Sequence, residues 1–241
     1  MGRIRLDLHS HTYYSHDSLL KPEHFVEACL RNGINCIAVT DHNEVDGAKQ
    51  IQKIAPFQVI VGEEIRTADG EITGLFLRER IPPNLSAEET VERIKDQKGL
   101  VYVPHPFATG VYMRLKKSKL DALIRRVDVI EGWNSRGILK SADERAQAYA
   151  RAHNKPFAAG SDAHSRFEIG AAYMEMDAFR GKGDFLEKLK SGTLVGRKTS
   201  ILFPTGSLVL GRAKVMAGHK TERAALKRKS RIRVKKIRLD F

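Results

Sequence analysis

The chain has 241 residues, 41% of them hydrophobic, with two cysteines and a formal net charge of +13. That length is enough to bury one full core as a single domain, and the composition is that of a globular protein. No run of about 18 apolar residues occurs, which excludes a transmembrane helix.

The N-terminus runs directly into an apolar strand, Leu6–Leu8, with no charged-then-apolar leader, so a cytoplasmic location is expected. Pro22 opens a helix to about Arg31 that Gly33 closes. Ile34–Val39 reads as strand two, Glu44–Ile54 as helix, and Gln58–Val61 as strand three. Cys29 and Cys36, on that helix and strand, fit buried positions in a reducing compartment. Asp69-Gly70 is a hairpin signal that returns Glu71–Leu77 antiparallel beside strand three. Ser86 and Glu89 form a capping box for a helix to about Lys98. Leu100–Val103, Val127–Ile130 and Phe157–Ala159 are strands four to six, with a helix near Ser141–Ala152. Asp184–Lys190 is a further helix and Leu194–Arg197 a seventh strand.

After Pro204 the pattern weakens, giving a domain over 1–204 and a basic extension over 205–241. Residues 211–241 hold twelve Lys and Arg against Glu222 and Asp240, so ten of the thirteen net positive charges lie there. In this stretch Ile232, Val234, Ile237, Leu239 and Phe241 interleave with the basic residues. Such a segment attracts polyanions, RNA or DNA among them; the competing reading is a solvated terminus that aids solubility.

Metal-ligand residue types fall repeatedly at strand C-termini: His9 and His11, Asp41-His42, Glu63-Glu64, His105, Glu131, and Asp162 with His164. In an α/β barrel those ends converge on one rim, where active sites are built. Residues two apart on an extended segment share a side, so both imidazoles of each alternate pair can reach one ion. Carboxylates mixed with five imidazoles exceed what one tetrahedral zinc needs and suggest two or three ions, of Mn, Fe or Zn. Ions sharing bridging oxygens can generate hydroxide from water and stabilise phosphoryl transfer. Arg136 and Arg166, on loops after strands, would then hold phosphate oxygens. His24, His153 and His219 sit in helical or terminal contexts and read as surface residues.

Together, His9-Ser10-His11, Thr40-Asp41-His42, Gly62-Glu63-Glu64-Ile65, Val103-Pro104-His105-Pro106 and Gly160-Ser161-Asp162-Ala163-His164 resemble the polymerase and histidinol phosphatase (PHP) family of metal-dependent phosphoesterases. The resemblance implies an α/β fold, a distorted seven-stranded (β/α) barrel with up to three metals at its C-terminal rim. It also implies hydrolysis of phosphate mono- or diesters. Carried over by motif, the metal ligands are His9, His11, Asp17, His42, Glu64, His105, Asp162 and His164, with His16 the rival of Asp17. Asp41 and Glu131 are assigned beside them, Glu131 either as the acceptor that orients a metal-bound histidine or as a group that satisfies the barrel rim. The chain departs from the family at one place. Many members carry a further histidine some ten residues beyond the bridging glutamate, and here Glu71–Leu75 has none.

Expected substrates are phosphorylated small molecules, nucleotides or nucleic-acid ends, toward which the basic extension tilts the reading. Two alternatives stand beside this one: an amidohydrolase-type metallohydrolase, and a nucleic-acid-binding module on a non-catalytic barrel.

Overall fold

A computed structural model describes residues 2–109 and 113–199, with Val209 alone beyond them. Apart from Val209, the basic extension and the boundary at 204 lie outside the described residues, as do Tyr112 and His219. Among the described residues no helix is long and apolar enough to cross a membrane.

In chain order the elements are β1 (Arg3–Asp7), α1 (Pro22–Arg31), β2 (Cys36–Val39), α2 (Asp46–Ile54), β3 (Gln58–Thr67), β4 (Gly70–Leu75), α3 (Ala87–Asp96), β5 (Leu100–Val103), α4 (Lys117–Leu123), β6 (Val129–Asn134), α5 (Lys140–Ala152), β7 (Phe157–Gly160), β8 (Ala172–Asp177), α6 (Gly181–Lys190) and β9 (Thr193–Gly196). Local chemistry explains several of the boundaries. Pro22 stands in the first turn of α1, where its missing N–H costs nothing, and Phe25, Ala28 and Cys29 give that helix one buried face. Ser86 and Glu89 form both halves of the capping box of α3. Thr67 pairs with Gly70, so the hairpin turn is Ala68-Asp69, and Gly70 takes the left-handed φ of +123° that follows it.

The strands form one sheet in the order β7-β6-β5-β4-β3-β2-β1-β8-β9. It curls into a nearly closed α/β barrel. The seven strands from β1 to β7 form the ring, closed where Leu8 N donates to Ala159 O at 3.2 Å and Ser10 bridges Ala163 in parallel. The sheet has nine strands where seven were expected. β4 runs antiparallel to both β3 and β5, and β8 and β9 extend the sheet beyond β1. The strand expected at Leu194–Arg197 is therefore an outer strand, β9, and not a stave of the barrel.

Two apolar layers hold the ring. Leu6, Leu8, Cys36, Ala38, Ile60, Tyr102 and Val129 belong to an inner cluster that Phe185 and Leu189 of α6 cap from below. The other faces of the staves, such as Ile37, Val39 and Val101, pack against α1, α2, α3 and α5. This alternation with a period of two is what a barrel buried on both faces requires. Leu6 is fully buried and central to the inner layer. Replacing Leu6 with Ala is expected to cost about 2–5 kcal/mol through lost burial and the cavity left behind. The change should appear in urea unfolding as a lower midpoint with the same slope.

Candidate metal centre

Past β1, His9 and His11 both bring Nε2 to the cluster while Ser10 turns to the neighbouring strand. Ser10 Oγ donates to Ala38 O at 2.7 Å, pinning the segment against β2. Asp7 Oδ1 accepts the backbone N–H groups of His9 (3.2 Å) and Ser161 (2.9 Å), locking β1 to β7 just below the rim. Burial pushes this carboxyl up to about 7, against the hydrogen bonds from Ser161 and His9 that hold it down. His42 follows β2, and its backbone bridges that of Glu64 on β3. His105 follows β5, and Asp162 and His164 follow β7. His105 and Asp162 hold left-handed φ angles of +30° and +53°, a backbone cost borne by two of the ligand candidates.

Glu64 is the hub. Its Oε2 lies 3.3 Å from both His9 Nε2 and His11 Nε2 and 3.2 Å from His42 Nδ1, and its Oε1 lies 3.1 Å from His105 Nε2. Asp162 Oδ1 lies 3.3 Å from His11 Nε2 and 3.7 Å from His9 Nε2. Asp17 Oδ2 lies 3.0 Å from His164 Nε2 and 3.5 Å from His42 Nε2. The eight residues assigned as ligands thus converge on one rim. Asp17 turns into the cluster, while His16 sits exposed at its edge with its ring 5.0 Å from that of His42.

The surrounding hydrogen bonds assign tautomers. Glu131 Oε1 accepts from His9 Nδ1 at 2.9 Å and from the Tyr102 hydroxyl at 2.8 Å. Ser15 gives its one proton to Asp41, so its Oγ accepts from His11 Nδ1 at 3.0 Å and from the His42 backbone. In the neutral rings His9 Nε2 and His11 Nε2 are then lone pairs, 3.1 Å apart, facing two carboxylates. Lone pairs so opposed require positive charge between them. Donor spacings of 3.1–3.3 Å are also the edge lengths of a coordination sphere with bonds of roughly 2.0–2.2 Å. The donor set therefore fits divalent ions, in groups such as His9, His11 and Glu64, or His9, His105 and Asp162.

The same opposition dominates the electrostatics. Burial penalises His9, yet Asp162, Glu64 and Glu131 outweigh it and raise the imidazole well above its ordinary range. His42 is raised to about 10 and His105 to about 9, burial again being overcome by carboxylates, Asp17 and Glu64 for the first and Glu64 for the second. Glu64, Asp162 and Asp17 are held well below the usual carboxylate range by the surrounding imidazoles despite their burial. His164 goes the other way, to about 4, because burial and the Arg136 guanidinium outweigh Asp17.

Not every assigned residue reaches the cluster. Asp41 stands behind the ligands and holds a loop: its carboxylate is occupied by Thr12 N and Oγ1, both at 2.6 Å, and by Ser15 Oγ at 2.9 Å. It acts on His11 only through Ser15. Arg166 is exposed, with its guanidinium over the Phe167 ring at 4.9 Å, away from the imidazoles. Glu131 lies beneath His9 as expected. Arg136 enters the rim, contacting His164 Nδ1 and lying 3.4 Å from the fully buried Glu168.

Sequence reasoning missed Glu71, Ser15, Asn134 and Glu168. Glu71 lies 3.8 Å from both His42 Nδ1 and His105 Nε2, on the side where a histidine was found wanting. Its signal was available, because across the expected hairpin Thr73 faces Glu64 and Glu71 shares the face of Thr73. Burial and the Glu64 charge push its carboxyl up to about 7. Asn134 donates to Glu131 at 3.0 Å and to Asp162 at 3.2 Å, joining the two carboxylates.

Residues 7–156 match the PHP domain family, and residues 140–194 match the PHP-associated family. The chain belongs to the PHP domain family. The uncharacterized protein MJ0417 of Methanocaldococcus jannaschii is 33% identical over 214 residues, which is 83% of this chain and 85% of that protein. Among solved structures, a two-domain protein of Bacteroides vulgatus, described as containing a predicted PHP-like metal-dependent phosphoesterase, superposes with a TM-score of 0.65 at 18% identity. It spans 81% of this PHP chain and 65% of its own. An amidohydrolase of Chromobacterium violaceum with bound sulfate and no metal superposes at 0.55 and 15% identity, over 66% of this chain and 87% of its own.

Gly160 ends β7 beneath the PHP site, where a Cβ would collide with the Glu131 carboxylate and the His9 Cβ. Gly160→Ala is expected to destabilise the fold by about 1–3 kcal/mol through overpacking. Urea unfolding measures this, and the Tyr102–Glu131–His9 chain should shift with it in a crystal structure of the variant.

Proposed function

We propose that this PHP protein is a metal-dependent phosphoesterase acting on phosphate mono- or diesters of nucleotides or nucleic-acid ends. The observation that carries the reading is the convergence of four imidazoles on Glu64, with two of their lone pairs fixed toward it. His9, His11, Asp17, His42, Glu64, His105, Asp162 and His164 would hold two or three divalent ions, of Mn, Fe or Zn. Glu71 joins them beside His42 and His105. Ions bound there would neutralise phosphate charge and supply an acidified water as nucleophile.

The remaining work falls to the chain. Glu131 and Ser15 fix the donor nitrogens of His9 and His11 and orient both rings. Asn134 ties Asp162 to Glu131, so one carboxylate cannot turn without the other. Arg136, with its side chain 11% exposed, presents a guanidinium from the rim that can pair with phosphate oxygens. The basic extension raises the local concentration of polyanionic substrates.

The first test is phosphate release from an aryl phosphate, a phosphodiester, a mononucleotide, a nucleoside bisphosphate and a short oligoribonucleotide, with Mn²⁺ or with a chelator. Turnover that needs the metal and falls more than about a hundredfold in His9→Ala supports the reading. Amide or amine hydrolysis without phosphoester turnover would favour the amidohydrolase type, to which the likeness with the Chromobacterium violaceum protein lends weight. Chelator-insensitive binding of RNA without turnover would favour the non-catalytic module.

Ser15→Ala removes the acceptor of His11 and is expected to weaken metal affinity about 10–100-fold. Calorimetric titration with Mn²⁺ reads that loss without any substrate.

A further inference from the structure

Glu131 and Asn134 both face the metal centre, although three residues of separation put side chains on opposite faces of a regular strand. β6 resolves this with a register shift against β7 between Glu131 and Trp133. Such a bulge re-aims side chains and interrupts the ladder, so the end of the strand needs other partners. They come from two distant segments. Asp143, in the first turn of α5, accepts Asn134 N at 3.1 Å, and Lys198, just after β9, donates to Asn134 O at 2.8 Å. Lys198 Nζ also pairs with the Asp143 carboxylate, so one ion pair holds both backbone groups of Asn134. Gly137 N adds a local bond to the same carbonyl at 3.2 Å.

The segment that carries Lys198 lies close against this loop. Gly196 ends β9 on Trp133, where a Cβ would collide with the indole. Thr199 N donates to Ser135 O at 2.9 Å. Between them, the Lys198 ammonium sits 4.6 Å from the centre of the Trp133 ring. The two side chains of the ion pair are 17% and 7% exposed, and a pair so withdrawn from water is costly unless its geometry is fixed. From the clamped backbone the Asn134 side chain works in two directions. Its Nδ2 donates to Glu131 and Asp162, and its Oδ1 accepts Arg136 N at 2.9 Å.

We propose that Lys198 is a positioning residue of the metal centre, which clamps the bulged end of β6 and thereby aims Asn134 at Asp162, Glu131 and the Arg136 loop. The inference rests on the metal-centre reading and extends it to a segment that follows the outer strand β9, beyond the ring.

The test is calorimetric titration with Mn²⁺ of the full chain and of Lys198→Met, Lys198→Arg, Asn134→Ala and Lys198→Met/Asn134→Ala. Methionine keeps an apolar stem against Trp133 and drops the ammonium. Lys198→Met is expected to weaken Mn²⁺ affinity about 10–100-fold, the range for groups that orient metal ligands. Lys198→Arg should restore most of it, since a guanidinium can still reach two acceptors. In the Asn134→Ala background Lys198→Met should cost no further affinity, because the side chain it acts through is gone. A lower urea midpoint with unchanged affinity makes Lys198 a brace of the fold only and overturns the proposal. An equal affinity loss in both backgrounds overturns it too. If Lys198→Met fails to fold, Lys198→Met/Asp143→Asn leaves no buried unpaired charge and carries the same expectation, with unchanged affinity again overturning it. Should the wild-type chain take up no Mn²⁺, the metal-centre reading falls by itself. A crystal structure of the Lys198→Met chain then decides the positioning: loss of the Asn134–Asp162 hydrogen bond supports it, and retention overturns it.

Discussion

Everything at the rim depends on one constraint: Glu64 is buried with both oxygens against imidazole nitrogens. A carboxylate that far from water is costly unless opposite charge surrounds it. The imidazoles are buried too, so they offer compensation only when protonated or when a cation lies between them and the carboxylate. His9 and His11 each direct Nδ1–H to a fixed acceptor, Glu131 and Ser15, so in the neutral rings both Nε2 atoms are lone pairs. With neutral rings the region lacks positive charge, and the carboxylates accordingly raise His9, His42 and His105. That deficiency, more than the count of histidines, is what makes the cluster a cation site.

The barrel exists to hold that arrangement still. A ring closed through Leu8, Ser10 and Ala163 brings the segments after β1 and β7 within backbone hydrogen-bond distance, and Asp162 N donates to His9 O at 2.8 Å. First and last ligand segments thus share a local ladder although more than 150 residues separate them. Asp7 reinforces the seam from below, and Gly160 is bare because Glu131 and His9 occupy the space a side chain would need. The left-handed backbone at His105 and Asp162 shows the same priority: geometry at the site prevails over local preference.

The sequence made the ring strands legible because most are short apolar runs bounded by turn residues, as in Leu100–Val103 between Gly99 and Pro104. β8 escaped because, apart from Tyr173, Ala172–Asp177 is built from Ala, Met, Glu and Asp, poor strand formers whose pairing with β1 is decided by tertiary contact. α4 escaped because seven residues with only Leu120 and Leu123 buried give too little periodicity. Ligand candidates at strand ends could be read because residue type and spacing carry that information. The supporting groups could not: Ser15 and Glu168 are ordinary loop residues, and Asn134 an ordinary strand end, until the chain places them. Asp41 could be read as a neighbour of the ligands, but its partners, Thr12 and Ser15, come from the distant loop after β1.

Glu71 shows how the antiparallel strand shapes the site. All parallel staves deliver residues to the rim from their C-terminal ends, but β4 runs the other way and delivers from its N-terminal end. A hairpin turn of two residues then puts Glu71 on the face of Glu64, near the rim, close to His42 and His105. The cluster so gains a carboxylate in the region where an imidazole was looked for. Glu64, Glu71, Asp17 and Asp162 can together carry four negative charges, which two divalent ions would balance. A third ion would leave a surplus for the phosphate to neutralise. Glu71 is also the group among these that is easiest to protonate, because burial and the charge of Glu64 both disfavour its ionised form. On the proposed reading, the charge of the site is thus set by how many ions it holds and by whether Glu71 is ionised beside them.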